Sequence, residues 1–197
     1  GNSWNGCSLT HIEFIDLADP VSTSGDFTME VSDISATNIT VLDFSSTSTA
    51  NQTLNGTSAN NTIIGGSGND TITTGAGVDM ILAGLGDDVI TVDGTGNKTI
   101  DGGSGTDSLT ISISGVTSLS DYTISTDGDY LVLTDSNGGT IKYKSIETLV
   151  VGSYTYTENT TDDTYWNSSE YVLYMYDGGS TSTTVFTSLS GWVYSSD

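Results

Sequence analysis

GTSANNTII (56–64), GGSGNDTIT (65–73), TGAGVDMIL (74–82), AGLGDDVIT (83–91), DGTGNKTID (93–101) and GGSGTDSLT (102–110) are six turns of one nonapeptide, broken only by the inserted Val92. The shared pattern is G-G-x-G-x-D-x-U-x, with U a large aliphatic residue. Position 8 holds Ile63, Ile72, Ile81, Ile90, Ile100 and Leu109. One apolar residue between small or polar neighbours fits a short stretch of β conformation with a single inward side chain. Stacking the turns places these six side chains in one column, a narrow dry core. No single turn buries its own face, so stability has to come from neighbouring turns.

Positions 2 and 4 are mostly glycine, as in Gly84/Gly86 and Gly103/Gly105. Two glycines one residue apart permit positive φ and close backbone approach, and such a turn aims several carbonyl oxygens into one space. Position 6 adds a carboxylate at Asp70, Asp79, Asp88 and Asp107. Carbonyls and carboxylates, without sulfur or imidazole, suit a hard cation, and calcium fits such loose oxygen geometry better than zinc or magnesium. Consecutive turns fall on opposite sides of the roll, so an ion sits between turns n and n+2. One side carries Asp70, Asp88 and Asp107; the other carries Asn61, Asp79 and Lys98. The spacing predicts two good sites, between Asp70 and Asp88 and between Asp88 and Asp107. It predicts one weaker site near Asp79, with the Lys98 ammonium neutralising its own turn in place of a metal. The competing reading is a glycine-rich solenoid that needs no ion. Four aspartates at one repeat position, in phase with the glycines, weigh against it.

Composition narrows the partners. The chain has 197 residues, 25 acidic side chains against 3 basic ones, and a formal charge of −22. Nothing here neutralises phosphates, so nucleic acid and anionic membranes are poor partners. The same charge opposes folding until cations arrive. No apolar stretch is long enough for a transmembrane helix, and no secretory signal peptide is evident. Cys7 has no internal disulfide partner, and His11 is alone, which argues against zinc or a His-based catalytic centre. Sequons at Asn69 and Asn97 lie inside repeat turns, where a glycan would crowd the metal, and read as incidental.

The flanks read as strands. HIEFIDL (11–17), FTMEVSD (27–33) and NITVLDF (38–44) precede the roll as added turns or a capping sheet. After it come SLTISIS (108–114), DYTIS (121–125), DYLVLTD (129–135) and TIKYKSIETLVV (140–151), with Asp135-Ser-Asn-Gly-Gly a hairpin signal. The Ile-Glu pairs at 12–13 and 146–147 bracket the roll as possible module junctions. The tail is rich in Tyr and Trp, including Trp166 and Trp192, with a second hairpin signal at Asp177-Gly-Gly. Packing in strands is the main role expected for these aromatics, and a contact surface the second. The division expected is 1–55 as an N-terminal strand segment, 56–110 as the roll, 111–151 as a strand and hairpin extension, and 152–197 as an aromatic β segment. The fold class is all-β: a parallel β-roll or β-solenoid with calcium-binding turns, flanked by short strands and β-hairpins.

Residues 56–110 resemble the repeats-in-toxin (RTX) family of secreted bacterial proteins, and the IETL segment loosely resembles the strand that follows such rolls. The resemblance implies export by type I secretion and folding outside the cell, secreted or at the cell surface, when calcium binds. It implies Asp70, Asp88, Asp107 and Asp79 as carboxylate ligands, with turn carbonyls from Gly65, Ser67, Ala83, Gly84, Leu85, Gly86, Gly103 and Gly105. Asn61, Lys98 and the Val92 insertion depart from the pattern. The roll alone does not choose among toxins, proteases, lipases and adhesins. There is no HExxH and no GxSxG, so no enzyme is expected. The expected role is an extracellular calcium-dependent structural or adhesive module. The alternatives are a self-assembling filament or surface-layer subunit, bound to copies of itself, and the export module of a secreted hydrolase.

Overall fold

Nine residues are too few to return a chain to its starting strand, so each nonapeptide crosses from one sheet to the other and two complete a rung. The computed structural model describes residues 40–45 and 51–159, with the strands at 14–16, 27–29, 164–167 and 172–175. In chain order the strands are β1 (Phe14–Asp16), β2 (Phe27–Met29), β3 (Val41–Asp43), β4 (Gln52–Asn55), β5 (Thr62–Gly66), β6 (Thr71–Thr73), β7 (Asp79–Leu85), β8 (Val89–Val92) and β9 (Lys98–Ser104). They continue as β10 (Ser108–Ile111), β11 (Thr123–Asp127), β12 (Tyr130–Thr134), β13 (Thr140–Lys144), β14 (Thr148–Val151), β15 (Tyr154–Asn159), β16 (Thr164–Asn167) and β17 (Val172–Met175). The first sheet runs β1-β3-β5-β7-β9-β13-β12-β11, and the second β17-β16-β15-β14-β10-β8-β6-β4-β2. The described residues contain no α-helix, and so none long and apolar enough to cross a membrane.

Pairing from β1 to β9 and on to β13 in the first sheet is parallel, as is pairing from β2 to β10 and on to β14 in the second. Ile63 lies on Ile81 and Ile81 on Ile100, while Ile72 lies on Ile90 and Ile90 on Leu109. The six position-8 side chains therefore form two facing columns, not the one column expected, because alternate nonapeptides belong to opposite sheets. All six are fully buried. The first column runs from Leu42 to Tyr143 and the second from Leu54 to Leu149, so the ladder continues on both sides of the repeat block.

Val92 is absorbed without breaking either ladder. Register steps of 18 residues, such as Thr73 on Thr91, become 19, as in Val92 on Ile111. Val92 points inward at the place that buried Thr74 holds one rung earlier, and with Ile111 and Val151 it makes that column apolar, so the core thickens toward the C-terminal end. There the parallel rungs give way to hairpins. Asp135 Oδ1 accepts from the backbone N–H groups of Asn137 and Gly139 and shapes the expected turn between β12 and β13. Leu119, Tyr122, Leu133, Tyr143 and Tyr156 join the core at this end. Cys7, His11, the Ile-Glu pair at 12–13 and the Asp177-Gly-Gly turn lie outside the described residues.

Glycine is required where rungs nearly touch. Gly84 has φ of 119°, and a Cβ built on it would lie 2.1 Å from the Gly66 carbonyl oxygen. A core this narrow offers a cavity no way to collapse. Ile90→Ala is expected to destabilise the calcium-loaded protein by about 2–5 kcal/mol, checked by chemical denaturation.

Candidate metal centre

Position 6 is where the rungs are tied together. Asp88 Oδ1 accepts the backbone N–H of Asp70 at 2.7 Å, and Asp107 Oδ1 accepts that of Asp88 at 2.8 Å. Asp70 Oδ1 in turn accepts the N–H of Gln52 at 2.7 Å. Each link spans one rung and lies in the loops that pass from the first sheet to the second. Each carboxylate thus spends one oxygen on the ladder. The second oxygens of Asp70, Asp88 and Asp107 are buried and have no hydrogen-bond partner within the protein. Three such oxygens in a row, one per rung, call for a cation.

The backbone around them leaves room for one. The space beside Gly65 that a Cβ would fill lies 2.3 Å from Asp70 Oδ2 and 2.5 Å from the Ala83 carbonyl oxygen. Two oxygens of adjacent rungs converge there because position 1 has no side chain. Among the described residues no three His, Cys, Asp or Glu side chains gather as a metal cluster. An ion here draws most of its ligands from carbonyls, which favours a hard cation.

The opposite row of loops solves the same problem without an external ion. Lys98 is fully buried, and its ammonium lies 2.8 Å from Asp79 Oδ2. It also donates to the carbonyls of Gly77 at 2.7 Å and Thr95 at 3.1 Å. A cation between two rungs is therefore held by a position-6 carboxylate, a position-4 carbonyl of the same turn and a position-3 carbonyl of the next rung. On the acidic row the corresponding groups are Asp70, Gly68 and Leu85, then Asp88, Gly86 and Ser104. Asp79, expected to serve a weaker ion, has both oxygens engaged inside the protein, because its Oδ1 accepts the N–H of Asn61 at 2.8 Å. Asn61 needs no cation: its Oδ1 accepts from Thr57 N at 2.8 Å and Thr57 Oγ1 at 3.2 Å.

Among the other residues expected at the site, Gly84, Gly86, Gly103 and Gly105 all have positive φ and pack on the preceding rung. Gly65 and Ala83 meet as described, and the Leu85 side chain is in solvent. Sequence reasoning did not single out the Gly68 carbonyl, which stands at the repeat position that Gly77 occupies beside Lys98. It also missed position 5, where Asn69 Oδ1 accepts the Asp87 N–H and Asp87 Oδ1 accepts the Thr106 N–H, a second ladder along the rim. The signal was the recurrence of Asn or Asp at 51, 60, 69, 87 and 97.

Electrostatics separate the two rows. Burial pushes the carboxyls of Asp70 and Asp107 up to about 6, against the lowering effect of the N–H each accepts. Burial pushes Asp88 up to about 7, with neighbouring carboxylates adding to the rise. Folded values above the ordinary 3.8 mean that the ion-free roll holds protons the unfolded chain has released. The contribution of these groups is fully present below about 4 and is lost as pH rises through 6 to 7. In chelator, the β signal is therefore expected to be larger near about pH 5 than near about pH 8, and calcium should reverse the order. Circular dichroism at the two pH values checks this. On the other row, Lys98→Met leaves Asp79 buried and unpaired and should cost about 3–5 kcal/mol in saturating calcium. Adding Asp79→Asn should recover most of the loss, as read by chemical denaturation.

Comparison with known proteins agrees with this geometry. A family model described as RTX calcium-binding nonapeptide repeat, in four copies, matches residues 55–90. Among solved structures the chain is similar to the crystal structure of extracellular lipase LipA from Serratia marcescens, at 23% identity and a TM-score of 0.35. That similarity covers 62% of this chain and 19% of the lipase chain, so the chain spans well under two thirds of that protein's length. A search of curated proteins found no match. The roll is a parallel β-solenoid containing RTX nonapeptide repeats, and the ion such repeats bind is calcium.

Proposed function

We propose that this chain is an extracellular structural or adhesive module whose roll folds when calcium binds outside the cell. The observation that carries the reading is the row of buried, unpartnered second oxygens on Asp70, Asp88 and Asp107. One ion lies between Asp70 and Asp88, held with carbonyls of turns 65–68 and 83–86. A second lies between Asp88 and Asp107, with carbonyls of turns 83–86 and 102–105. Asp79 serves Lys98 and takes no ion.

Charge supports the compartment. All three lysines are already in ion pairs, Lys98 with Asp79, Lys142 with Asp127 and Lys144 with Asp101. No basic side chain remains to neutralise the acidic row. Extracellular calcium modules bind at about 10⁻⁴–10⁻³ M, so such a roll stays unfolded in cytosol and folds outside. Export in the unfolded state follows from the same arithmetic. The continuous parallel ladder from residue 41 to 151 supports a load-bearing or surface-presenting role. Light scattering with and without calcium separates a monomeric module from a self-assembling one.

In EGTA at neutral pH the β signal in circular dichroism should be lost, and it should return with calcium but not with equimolar magnesium. A fully folded chelated protein at neutral pH rules the reading out. Asp88→Ala removes the spare oxygen offered to one ion and the bond that fixes Asp70 beside the other, and should abolish most calcium uptake in calorimetry, whereas Asp79→Ala should leave the number of bound ions unchanged.

A further inference from the structure

The row of ion-binding loops does not stop where the nonapeptides stop. β13 and β14 add one more rung, and the loop joining them, 145–147, stacks on turn 102–107. Lys144 pairs with Asp101 and Thr148 with Ser108, which brings Ser145 over Gly102 and Glu147 over Asp107. Glu147 Oε2 accepts the Asp107 N–H at 2.6 Å, the bond that a position-6 aspartate makes elsewhere in the row. The Ser145 carbonyl oxygen lies 1.9 Å from the space a Gly102 Cβ would fill, and Asp107 Oδ2 lies 2.7 Å from it. The Ala83 carbonyl and Asp70 Oδ2 meet over Gly65 in the same way. Asp107 is 0% exposed and its Oδ2 has no partner.

We propose a third calcium site, between Asp107 and the Ser145–Glu147 loop, closed by residues outside the repeat pattern. It rests on the calcium reading of the roll. Its donors are Asp107 Oδ2, the Ser145 carbonyl, the Glu147 carboxylate and the carbonyls of turn 102–105, all hard oxygens. From Ser145 to Glu147 the loop takes two steps where the repeats take five, from Ala83 to Asp88. The position-3 and position-4 carbonyls of a further rung are absent, so water completes the shell. This site is the weakest of the row and the first to empty as calcium falls.

Glu147→Gln tests the assignment, because the amide oxygen still accepts the Asp107 N–H while the charge is lost. Calcium calorimetry on the full chain should show one ion fewer than the wild type, or a weakest class reduced about tenfold or more. The tighter ions and the calcium-loaded circular dichroism should be unchanged. Identical stoichiometry and affinities in the two proteins overturn the third site and leave the roll's calcium binding intact. Absence of calcium uptake by the wild type overturns the calcium reading itself, and this site with it. Should Glu147→Gln fail to fold, a crystal structure of the wild type grown in calcium decides. An ion at about 2.3–2.6 Å from Asp107 Oδ2 and the Ser145 oxygen supports the site. Ions beside Asp70 and Asp88 with none beside Asp107 and Ser145 overturn it.

Discussion

One hydrogen bond, repeated along the acidic row, sets the terms for the rest of the roll. A position-6 side-chain oxygen accepts the backbone N–H of the rung before it, as Asp88 does for Asp70. This bond holds the ladder in register where the chain turns between sheets. A carboxylate that makes it inside a dry roll brings a second oxygen into the interior with a charge attached. A core with one large side chain per half turn has little apolar area to offset that burial. The fold and the need for a cation are thus the same fact seen from two sides.

Different rungs answer that need with different chemistry. At Gln52 and Asn61 the charge is removed, and Asn61 is satisfied by its own turn through Thr57. At Asp79 a lysine from the next rung delivers the cation within the chain. Since Lys98 has no acceptor for the Asp79 N–H, the Asn97 carbonyl takes that proton instead. The row of Asp70, Asp88 and Asp107 keeps its carboxyl groups, and their second oxygens find no hydrogen-bond partner in the chain. One side of the roll is therefore stapled permanently, and the other answers to its surroundings.

Much of this was legible in the sequence because the nonapeptide period carries it. The all-β solenoid, the buried aliphatic at position 8 and the acidic row all follow from counting in nines and assigning alternate turns to opposite sides, whereas Lys98, read as neutralising its own turn, pairs instead with Asp79 of the rung before. The two facing columns required the further step of applying that alternation to the core as well as to the loops. Glu147 was not legible as a position-6 residue. Its loop is shorter than a repeat and has no glycines, the bend being made by Ser145, the one non-glycine residue with positive φ among the described residues. Only the pairing of β14 with β10 reveals that Glu147 stands where an aspartate would. The spare oxygens were equally hidden, since a sequence shows that a carboxylate is present but not which of its oxygens the backbone has taken.

The inserted Val92 gives the stack a direction. Rungs before it bury a single large aliphatic on the second sheet, Leu54 and then Ile72; rungs after it bury two, and the last is sealed by Tyr143 and Tyr156. A one-dimensional array with a thick end and a thin end does not assemble from both ends alike. The thick end buries the most apolar surface per rung. Each thinner rung has less apolar contact with which to stay on its neighbour. Where packing alone decides, the roll should therefore fray from its N-terminal rungs, whereas the proposed ion beside Glu147 is the first lost when calcium falls.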